Sequence, residues 1–375
     1  MKQKILVTGG AGFIGSHLVD LLLDEGYEVR VLDSLDIQVH GDTDRPPDYL
    51  SPDAEFLQGD IRDTDALARS LEGIDAVVHL AAAVGVAQSQ YEIHRYVQVN
   101  DSGTAALLEA VTRRRDRIHK VVVASSMSVY GEGRYQCPNC GPVAVRARSA
   151  EQLAGHEWEL KCPNCGAELK SAPTDEDKPL FCESVYALTK KVTEELALIV
   201  GEAYDIPTAA LRFFNTYGPR QALSNPYTGL LAIAASRMLS GKPVLIFEDG
   251  KQSRDFIHVR DVARACLAAL RWQGSGTMVA NIGTGLQSTV LDVVSALKNG
   301  LGFKGEPEIK DRFRSGDIRH CYADTRRARE ILGFKSEVSL AQGISEFLGW
   351  AKNEKAVKDM VEKAVDELEQ KGLVK

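Results

Sequence analysis

Residues 4–24 read KILVTGGAGFIGSHLVDLLLD, an apolar run that stops at a glycine-rich turn and resumes as a helical pattern. A short run of Ile, Leu and Val before glycine predicts a buried strand. From Phe13 to Asp24 the apolar residues recur at three- and four-residue steps, which predicts a helix. This strand, turn and helix form the first repeat of the fold.

The same alternation of strand and helix continues through the first half of the chain. Further strand-like runs are YEVRVLD (27–33), AEFLQGD (54–60), DAVVHLA (75–81), KVVVASS (120–126) and TAALRFFN (208–215). Helical patterns stand between them near Thr64–Leu71 and, as one long helix, across Tyr91–Arg114. Because such alternation implies parallel strands joined by helical crossovers, we predict an α/β fold: a Rossmann, doubly wound parallel sheet with a smaller C-terminal lobe.

Composition excludes several classes of function. The chain has 375 residues, 44% of them hydrophobic, enough for a large core and two lobes around one cleft. Lys and Arg number 45 against 52 Asp and Glu, a net charge of −7 that does not suit a surface built to bind a phosphate backbone. The first residues lack the apolar core of a signal peptide, and no apolar run approaches the roughly 20 residues that span a bilayer. We therefore expect a cytoplasmic protein with no nucleic-acid or membrane partner.

Three glycines share the turn between the first strand and the first helix: Gly9, Gly12 and Gly15. Glycines allow a tight turn, a close approach of the backbone to a pyrophosphate, and close packing of the helix on the strand. The pyrophosphate then lies at the helix N-terminus, where free N–H groups favour negative charge. Asp33 ends the next strand, where its carboxylate can bind ribose hydroxyls and would repel a 2′-phosphate. The pattern therefore predicts NAD rather than NADP, with Asp60 and Ile61, which follow the third strand, flanking the adenine.

A candidate catalytic group follows in SVYALTK (184–190), where Tyr186 and Lys190 are four residues apart on one helix face. A neighbouring ammonium stabilises a phenolate and moves the tyrosine pKa down from about 10, which would make Tyr186 a general base. Ser126 ends a predicted strand at the sheet edge where such folds bind ligands. It can hydrogen-bond the same substrate oxygen that Tyr186 deprotonates.

Together the glycine triplet, Asp33, Ser126, Tyr186 and Lys190 resemble the extended short-chain dehydrogenase/reductase family of NAD-dependent nucleotide-sugar epimerases and dehydratases. The resemblance covers nearly the whole chain except residues 132–171 and the last ~25 residues. It implies an enzyme with bound NAD that acts on a nucleotide sugar. It also implies a homodimer formed through the helices near 91–114 and 186–201.

The resemblance extends to further binding positions. It implies that the NAD site is also lined by Phe13, Ile14, Leu80 and Ala81. It implies that the nucleotide diphosphate and nucleoside are held by Asn215, Arg254, Arg314 and Asp317. Arginines are suitable phosphate ligands because they donate charge-assisted hydrogen bonds, although an arginine at either position could equally be a surface residue.

The two residues after Ser126 bear on the type of reaction. Dehydratases of the family carry Asp and Glu there, whereas this chain has Met127 and Ser128, and neither can transfer a proton at neutral pH. The expected reaction is therefore 4-epimerisation through a keto sugar. Several segments are similar to family members that convert dTDP-L-rhamnose to dTDP-6-deoxy-L-talose. A UDP-hexose or UDP-uronate 4-epimerase is the alternative, followed by a net dehydrogenase and a catalytically silent NAD-sensing module.

The pentapeptide CPNCG occurs twice and supplies four candidate metal ligands: Cys137, Cys140, Cys162 and Cys165. Four thiolates fill a tetrahedral Zn²⁺ and leave no open position, so the predicted zinc is structural, with iron as the alternative. Gly141 and Gly166 tolerate the left-handed backbone that each turn needs. The segment is expected to form a zinc-ribbon-like loop that lies beside the sugar cleft.

These features predict four regions along the chain. Residues 1–131 and 172–216 would form the NAD-binding domain, and residues 132–171 the inserted metal-binding segment. Residues 217–350 would mainly form the nucleotide-sugar lobe. The last region, 351–375, is predicted to be a charged, mostly solvated helix with a narrow apolar stripe made of Val357, Val361, Val365 and Leu368.

Overall fold

The structure is a computed structural model and describes residues 2–314, 316–354 and 358–374. The described strands are β1 Lys4–Thr8, β2 Glu28–Asp33, β3 Glu55–Gln58, β4 Ala76–His79, β5 Val121–Ser126, β6 Arg134–Cys137, β7 Gly141–Val143, β8 Lys170–Ala172, β9 Thr208–Phe213, β10 Asn215–Tyr217, β11 Leu245–Ile246, β12 Ser253–Arg254, β13 Phe256–His258, β14 Thr277–Ile282, β15 Ser288–Thr289, β16 Glu308–Ile309 and β17 His320–Cys321.

The described α-helices are α1 Phe13–Asp24, α2 Ile37–His40, α3 Thr64–Ser70, α4 Val86–Ser89, α5 Ile93–Tyr96, α6 Gly103–Thr112, α7 Ala150–Ala154, α8 Val185–Ala203, α9 Leu230–Leu239, α10 Val259–Arg271, α11 Val290–Leu301, α12 Arg326–Leu332, α13 Leu340–Ala351 and α14 Val361–Gln370. A π-helical stretch, Val97–Ser102, joins α5 to α6, and a 3₁₀ turn, Met127–Tyr130, follows β5. Among these helices none has both the length and the hydropathy needed to cross a bilayer.

Seven parallel strands form the main sheet in the order β14-β9-β5-β4-β1-β2-β3. Val7 of β1 lies beside Val31 of β2 and Val78 of β4, and all three side chains are buried. Such apolar runs are expected for a parallel sheet that is covered by helices on both faces. The strand order reverses between β1 and β4, which opens a crevice at the carboxyl edge. The predicted Rossmann-like sheet is confirmed.

A second apolar core lies in the C-terminal half, where α9, α11 and α13 pack together. Leu231, Val293 and Phe347 are each at most 1% exposed in this core. Short strands connect it to the main sheet: β10 pairs with β13, while β12 pairs with both β15 and β17. These short pairs place the C-terminal half beside the carboxyl edge of the sheet.

The inserted segment forms its own small sheet, in which β6 lies between β7 and β8 in antiparallel register. A separate apolar cluster fills it, with Tyr135, Val145, Leu160 and Leu169 all less than 8% exposed. The segment is therefore a packed unit and not a loose loop.

Two helix predictions were wrong in detail. The single helix predicted across residues 91–114 is divided by the π-helical stretch, where Asn100 is turned inward and is 1% exposed. The C-terminal helix spans only Val361–Gln370, and Val357 lies outside the described residues. This helix is also less solvated than expected, because Leu368 is buried and the nearby Asp359 carboxylate lies 3.2 Å from the buried Arg237 guanidinium.

Candidate active site

The glycine turn between β1 and α1 leaves no room for side chains at two positions. Gly9 has a φ of +70°, and a Cβ there would lie 2.7 Å from the amide nitrogen of Ala81. A Cβ at Gly15 would lie 2.1 Å from the carbonyl oxygen of Gly9. Gly12 is the N-cap of α1, and no side chain caps the helix there. The helix N-terminus is therefore available to an anionic ligand.

Asp33 stands beside this turn at the end of β2. Its Oδ2 accepts a hydrogen bond from the Ala11 amide at 3.0 Å, and its Oδ1 accepts one from the Leu35 amide at 3.0 Å. The side chain is therefore fixed between the glycine turn and the following loop. The turn, in which only glycine fits at positions 9 and 15, suits the pyrophosphate of a dinucleotide such as NAD. The fixed Asp33 carboxylate beside this glycine cradle suits the ribose of the dinucleotide.

The other NAD-site residues implied by the resemblance lie around the same turn. Phe13 and Ile14 form the first turn of α1. Leu80 and Ala81 directly follow β4, and the Ala81 amide donates to Thr8 Oγ1 at 3.3 Å. All four are thus at the carboxyl edge of the sheet.

Asp60 and Ile61 follow β3 and are already engaged with the protein. Asp60 Oδ2 lies 2.6 Å from Arg62 Nη2, and this hydrogen bond holds the pKa of the Asp60 carboxyl below its usual range. Ile61 is 5% exposed and packs against Gly103 of α6, where a Cβ would lie 2.6 Å from Ile61 Cγ2. Ile61 is therefore a packing residue between β3 and α6 that also lies at the sheet edge.

Ser126, Tyr186 and Lys190 come together at the carboxyl end of β5. Tyr186 lies in the first turn of α8, where its amide donates to Ser89 Oγ at 2.9 Å, and its phenol lies close enough to Ser126 for that hydroxyl to lower the pKa of the phenol. Lys190 is one helical turn further on, is 5% exposed, and donates from Nζ to the carbonyl oxygen of Ala124 at 3.0 Å. Two elements thus supply one hydroxyl, one phenol and one amine to the same place.

Burial dominates the protonation of this group, which corrects the sequence argument. Burial raises the pKa of Tyr186, and the neighbouring hydroxyl of Ser126 acts in the opposite direction. Burial also lowers the pKa of Lys190 from 10.5 to about 8. The expected depression of the Tyr186 pKa by Lys190 is therefore not the leading effect within the protein itself.

Asn100 is a positioning residue that the sequence argument missed. Its side chain accepts from the Ala83 amide at 2.8 Å and donates to the Ala83 carbonyl at 3.1 Å, and it also donates to Thr189 Oγ1 at 2.9 Å. It therefore joins the loop after β4 to the catalytic helix α8. An asparagine inside a predicted helix was the available signal, because asparagine disfavours helix interiors.

A buried ion pair beneath the catalytic group was also missed. Glu194 of α8 accepts from Arg212 of β9, with Oε2 at 3.0 Å from Nε, and from Ser125 Oγ at 2.6 Å. Both charged side chains are at most 5% exposed. The pair fixes α8 against β5 and β9, and thereby sets the position of Tyr186.

The expected substrate residues lie on the C-terminal side of the cleft. Within the described part of the chain, Asn215 Oδ1 is buried without a hydrogen-bond partner. Arg254 donates to the carbonyl oxygens of Ile318 at 2.6 Å and Arg319 at 2.9 Å. The structure thus ties Arg254 to the segment that begins with Arg314.

Arg314 and Asp317 form an ion pair in that segment, with Nε 2.9 Å from Oδ2. The Arg314 guanidinium also lies over the ring of Phe247, 4.7 Å from its centre. Neither Arg254 nor Arg314 is a freely solvated surface arginine, because both are half-buried and oriented by neighbours. Both can therefore offer directed hydrogen bonds to an anionic ligand.

The four cysteines of the insertion converge as their spacing predicts. One sulfur from each of Cys137, Cys140, Cys162 and Cys165 lies within 4.8 Å of all the others. The glycine after each pair has a left-handed backbone, with φ of +76° at Gly141 and +73° at Gly166. A tetrahedral zinc with Zn–S bonds of about 2.3 Å needs such a cluster of sulfurs, so the donor set fits the metal.

The fold and this site define a class of protein. A dinucleotide cradle and a Ser–Tyr–Lys group share one crevice at the carboxyl edge of a doubly wound sheet. That combination is typical of Rossmann-fold enzymes of the short-chain dehydrogenase/reductase type.

Comparison with known proteins identifies the family. The model of the NAD dependent epimerase/dehydratase family matches residues 5–151 and 164–283. The gap in this match falls within the inserted segment. The chain belongs to the NAD-dependent epimerase/dehydratase family.

Individual relatives are similar along nearly the whole chain. A putative UDP-glucose 4-epimerase of Methanocaldococcus jannaschii is 36% identical over 93% of this chain and 98% of its own. A dTDP-L-rhamnose 4-epimerase of Burkholderia thailandensis is 34% identical over 94% of this chain and 96% of its own. The solved UDP-glucuronic acid 4-epimerase from Bacillus cereus, in complex with UDP-glucuronic acid and NAD, is 31% identical over 93% of this chain and 99% of its own, with a TM-score of 0.72. The chain is thus an enzyme of this family that is similar to its nucleotide-sugar 4-epimerases.

Proposed function

We propose that this protein is an NAD-dependent nucleotide-sugar 4-epimerase that inverts C4 through a 4-keto sugar. The observation that carries the proposal is the convergence of Ser126 and Tyr186, with Lys190 one turn away, at the same sheet edge as the glycine turn. A hydroxyl of the substrate placed there meets both a proton acceptor and a second hydrogen-bonding partner.

In this mechanism Tyr186, as the phenolate, accepts the proton of the C4 hydroxyl and later returns it. Ser126 hydrogen-bonds the same oxygen and so holds it in line with the phenol. Lys190 keeps positive charge near the phenol and the cofactor. NAD, held at the glycine turn and Asp33, would supply the chemistry of accepting a hydride from C4 and returning it to the opposite face.

Inversion requires the keto sugar to turn while the nucleotide stays bound. Arg254 and Arg314 are suited to hold the diphosphate, because their orientations are fixed by hydrogen bonds on the protein side. Asn215, with its unpartnered buried oxygen, offers a further polar contact. Anchoring at the diphosphate leaves the sugar ring free to present either face.

Elimination of water is disfavoured at this site. Met127 is an apolar side chain that is 8% exposed, and the Ser128 hydroxyl donates to Ser126 Oγ at 2.9 Å. Ser128 therefore supports Ser126 instead of acting as an acid or a base. No carboxylate occupies either position after Ser126, which supports epimerisation over dehydration.

For the substrate we propose dTDP-L-rhamnose, converted to dTDP-6-deoxy-L-talose. The proposal is supported by the segments similar to such enzymes and by the relative from B. thailandensis. A UDP-hexose or UDP-uronate is the second candidate, because the relatives from M. jannaschii and B. cereus are named for UDP sugars. A screen of dTDP- and UDP-sugars, with product stereochemistry by NMR and NADH followed by absorbance, separates the candidates. C4 isomers without net NADH are expected; accumulating NADH would indicate a dehydrogenase, and no reaction would indicate a sensing module.

We propose that the four cysteines hold one structural Zn²⁺ per chain. The proposal is supported by the convergence of four thiols in a segment that has its own small core. With four thiolates bound, the metal has no open position for substrate, so its function is to fix the insertion. Metal analysis of the purified protein tests the stoichiometry and distinguishes zinc from iron.

We propose that the enzyme is a homodimer formed through the helices near 91–114 and 186–201. Apolar side chains on these helices are exposed in the single chain, including Ile93 and Leu188 at 51% and Ile199 at 66%. Exposed apolar groups on adjacent helices are typical of an interface. Light scattering is expected to give twice the chain mass for the wild-type protein and less for Ile199→Glu.

A further inference from the structure

The inserted segment reaches the proposed substrate site through a buried network of charged side chains. We propose that Glu159 and Arg148, both from the insertion, are positioning residues for the arginines that bind the diphosphate of the nucleotide sugar. This inference rests on the proposed function. It gives the insertion a role in substrate binding that the four cysteines alone do not explain.

Arg319 is the centre of the network and its side chain is fully buried. Its Nε donates to Glu159 Oε1 at 2.9 Å, and its Nη1 donates to Asp249 Oδ1 at 2.6 Å and Glu248 Oε2 at 3.1 Å. One acid comes from the insertion and two come from the C-terminal half. Arg319 therefore links the insertion to the lobe that carries Arg254.

Arg148 forms the second connection and its side chain is 1% exposed. Its Nη2 donates to Glu248 Oε1 at 2.7 Å and its Nη1 donates to Glu248 Oε2 at 2.9 Å. Because Arg319 also donates to Glu248, the two arginines share this carboxylate. Arg148 Nη2 also donates to the carbonyl oxygen of Asp317 at 3.4 Å. The insertion thus contacts the backbone of the residue that pairs with Arg314.

The insertion also holds the main chain of residues 319–320. Glu132, just before β6, accepts from the Arg319 amide at 2.7 Å and from the His320 amide at 3.3 Å. Glu159 Oε2 lies 3.0 Å from His320 Nε2, and His320 Nδ1 lies 2.7 Å from Ser253 Oγ. Contacts from two parts of the insertion therefore fix this short stretch.

The fixed stretch orients both candidate diphosphate ligands. Arg254 donates to the Ile318 and Arg319 carbonyls, and Arg314 pairs with Asp317 only a few residues before them. Movement of residues 317–320 would therefore misdirect both guanidinium groups. Buried ion networks contribute little net stability, and fixing a geometry is their better-supported use.

Glu159 is the most informative residue to change. It is ionised at neutral pH, because hydrogen bonds from His320 and Arg319 outweigh burial and lower its pKa to about 2. Its side chain is 33% exposed, and without its charge Arg319 keeps Asp249 and Glu248 as partners. Glu159→Gln should therefore fold while loosening residues 319–320. Glu157→Gln is the matched control, because Glu157 lies in the same segment, its side chain is 55% exposed, and among the described residues its carboxylate pairs only with Lys161 on the surface.

The test is calorimetric binding of UDP and of dTDP to the NAD-loaded full-length protein, with KM and kcat for the best sugar substrate. Of UDP and dTDP, one will bind the wild type more tightly, and we expect Glu159→Gln to bind that nucleotide with about tenfold lower affinity. The KM for the sugar substrate should rise in proportion, while kcat and the content of bound NAD should not change. Glu157→Gln should match the wild type. A second variant, Arg148→Lys, keeps the buried positive charge but loses the bidentate hydrogen bond to Glu248. It is also expected to bind the nucleotide more weakly than the wild type.

Normal nucleotide affinity in whichever of Glu159→Gln and Arg148→Lys keeps the wild-type fold would overturn the inference. A parallel fall in kcat and NAD content would also overturn it, because it would indicate general loosening and not positioning of the diphosphate ligands. If the wild-type protein itself binds neither UDP nor dTDP, the proposed function fails and this inference fails with it. The two failures are thus distinguishable by the behaviour of the wild type.

Discussion

Tyr186 and Ser126 come from elements far apart in the sequence, and their meeting depends on several side chains that have no chemistry of their own. Ser89 fixes the first turn of α8, while Asn100 joins α8 to the loop after β4. The Glu194–Arg212 pair then holds α8 on the sheet. The reactive geometry is therefore a property of the packing around Tyr186 as much as of Tyr186 itself.

Tyr186→Phe is expected to keep NAD and the fold but to lose turnover by a factor of about 10²–10⁴, because the ring still packs while the proton acceptor is gone. The measurement is kcat for C4 inversion together with the NAD content of the purified variant. Near-normal turnover in a variant that holds NAD would remove Tyr186 from the mechanism.

Gly15→Ala is expected to abolish NAD binding, because its Cβ would lie 2.1 Å from the Gly9 carbonyl oxygen and force α1 away from the turn. The control is Gly349→Ala in α13, where a Cβ meets no atom within 4 Å in the described structure. That variant should bind NAD normally and gain up to about 1 kcal/mol in unfolding free energy. NAD content and denaturant unfolding check both variants, and NAD retained by Gly15→Ala would contradict the assignment of the cradle.

The Lys190 amine should leave a signature in the pH dependence of stability. Burial lowers its pKa from 10.5 to about 8, so between these pH values the unfolded chain binds more protons at this group than the folded chain. The contribution of Lys190 to the unfolding free energy should therefore rise with pH across that window. Denaturant unfolding from pH 7 to 10 measures the difference in unfolding free energy between the wild type and Lys190→Met. This difference should change in favour of the wild type as the pH rises, and a difference that stays constant would show that the pKa of Lys190 is not lowered.

At the scale of elements, the insertion is a packed unit that lies outside the main sheet. Its three strands, its own apolar cluster and its cysteines make a unit that folds back onto the C-terminal half through Glu132, Arg148 and Glu159. The helix α14 behaves similarly, because the preceding Asp359 is buried against Arg237 and Glu367 accepts from Tyr227 at 3.2 Å. Both elements are therefore held by contacts with residues of the C-terminal half.

Removal of one metal ligand should affect this unit and not the NAD domain. Cys140→Ser is expected to lose the bound zinc, of which the wild type should hold about one per chain, and to loosen the insertion. Metal analysis and protease sensitivity of residues 132–171 measure the effect. Cys182→Ser, outside the cluster, should retain the metal. A metal-free Cys140→Ser whose insertion resists protease as well as the wild type would contradict a structural role.

At the scale of the whole molecule, the sequence predicts what is local or periodic. The bounds of α1 agree with the prediction, because the strand, the glycine turn and the helix are each indicated by residues that are adjacent in the sequence. The sheet and the convergence of Ser126 with Tyr186 follow from where parallel strands end. The π-helical turn at Asn100 left one signal, an asparagine inside a helical pattern. The docking of α14 and the Arg319 network could not be predicted, because they depend on side-chain contacts between distant segments that no pattern in the sequence marks.

The most direct test of the account is an NMR measurement of the sugar product formed in D₂O by the NAD-loaded enzyme. In the proposed mechanism Tyr186 exchanges only the hydroxyl proton, and the hydrogen on C4 would leave and return as hydride without contact with solvent. We therefore predict a C4-inverted nucleotide sugar with no deuterium at C4 and no net NADH. Deuterium at C4, or a product with C4 unchanged, would contradict the proposed mechanism.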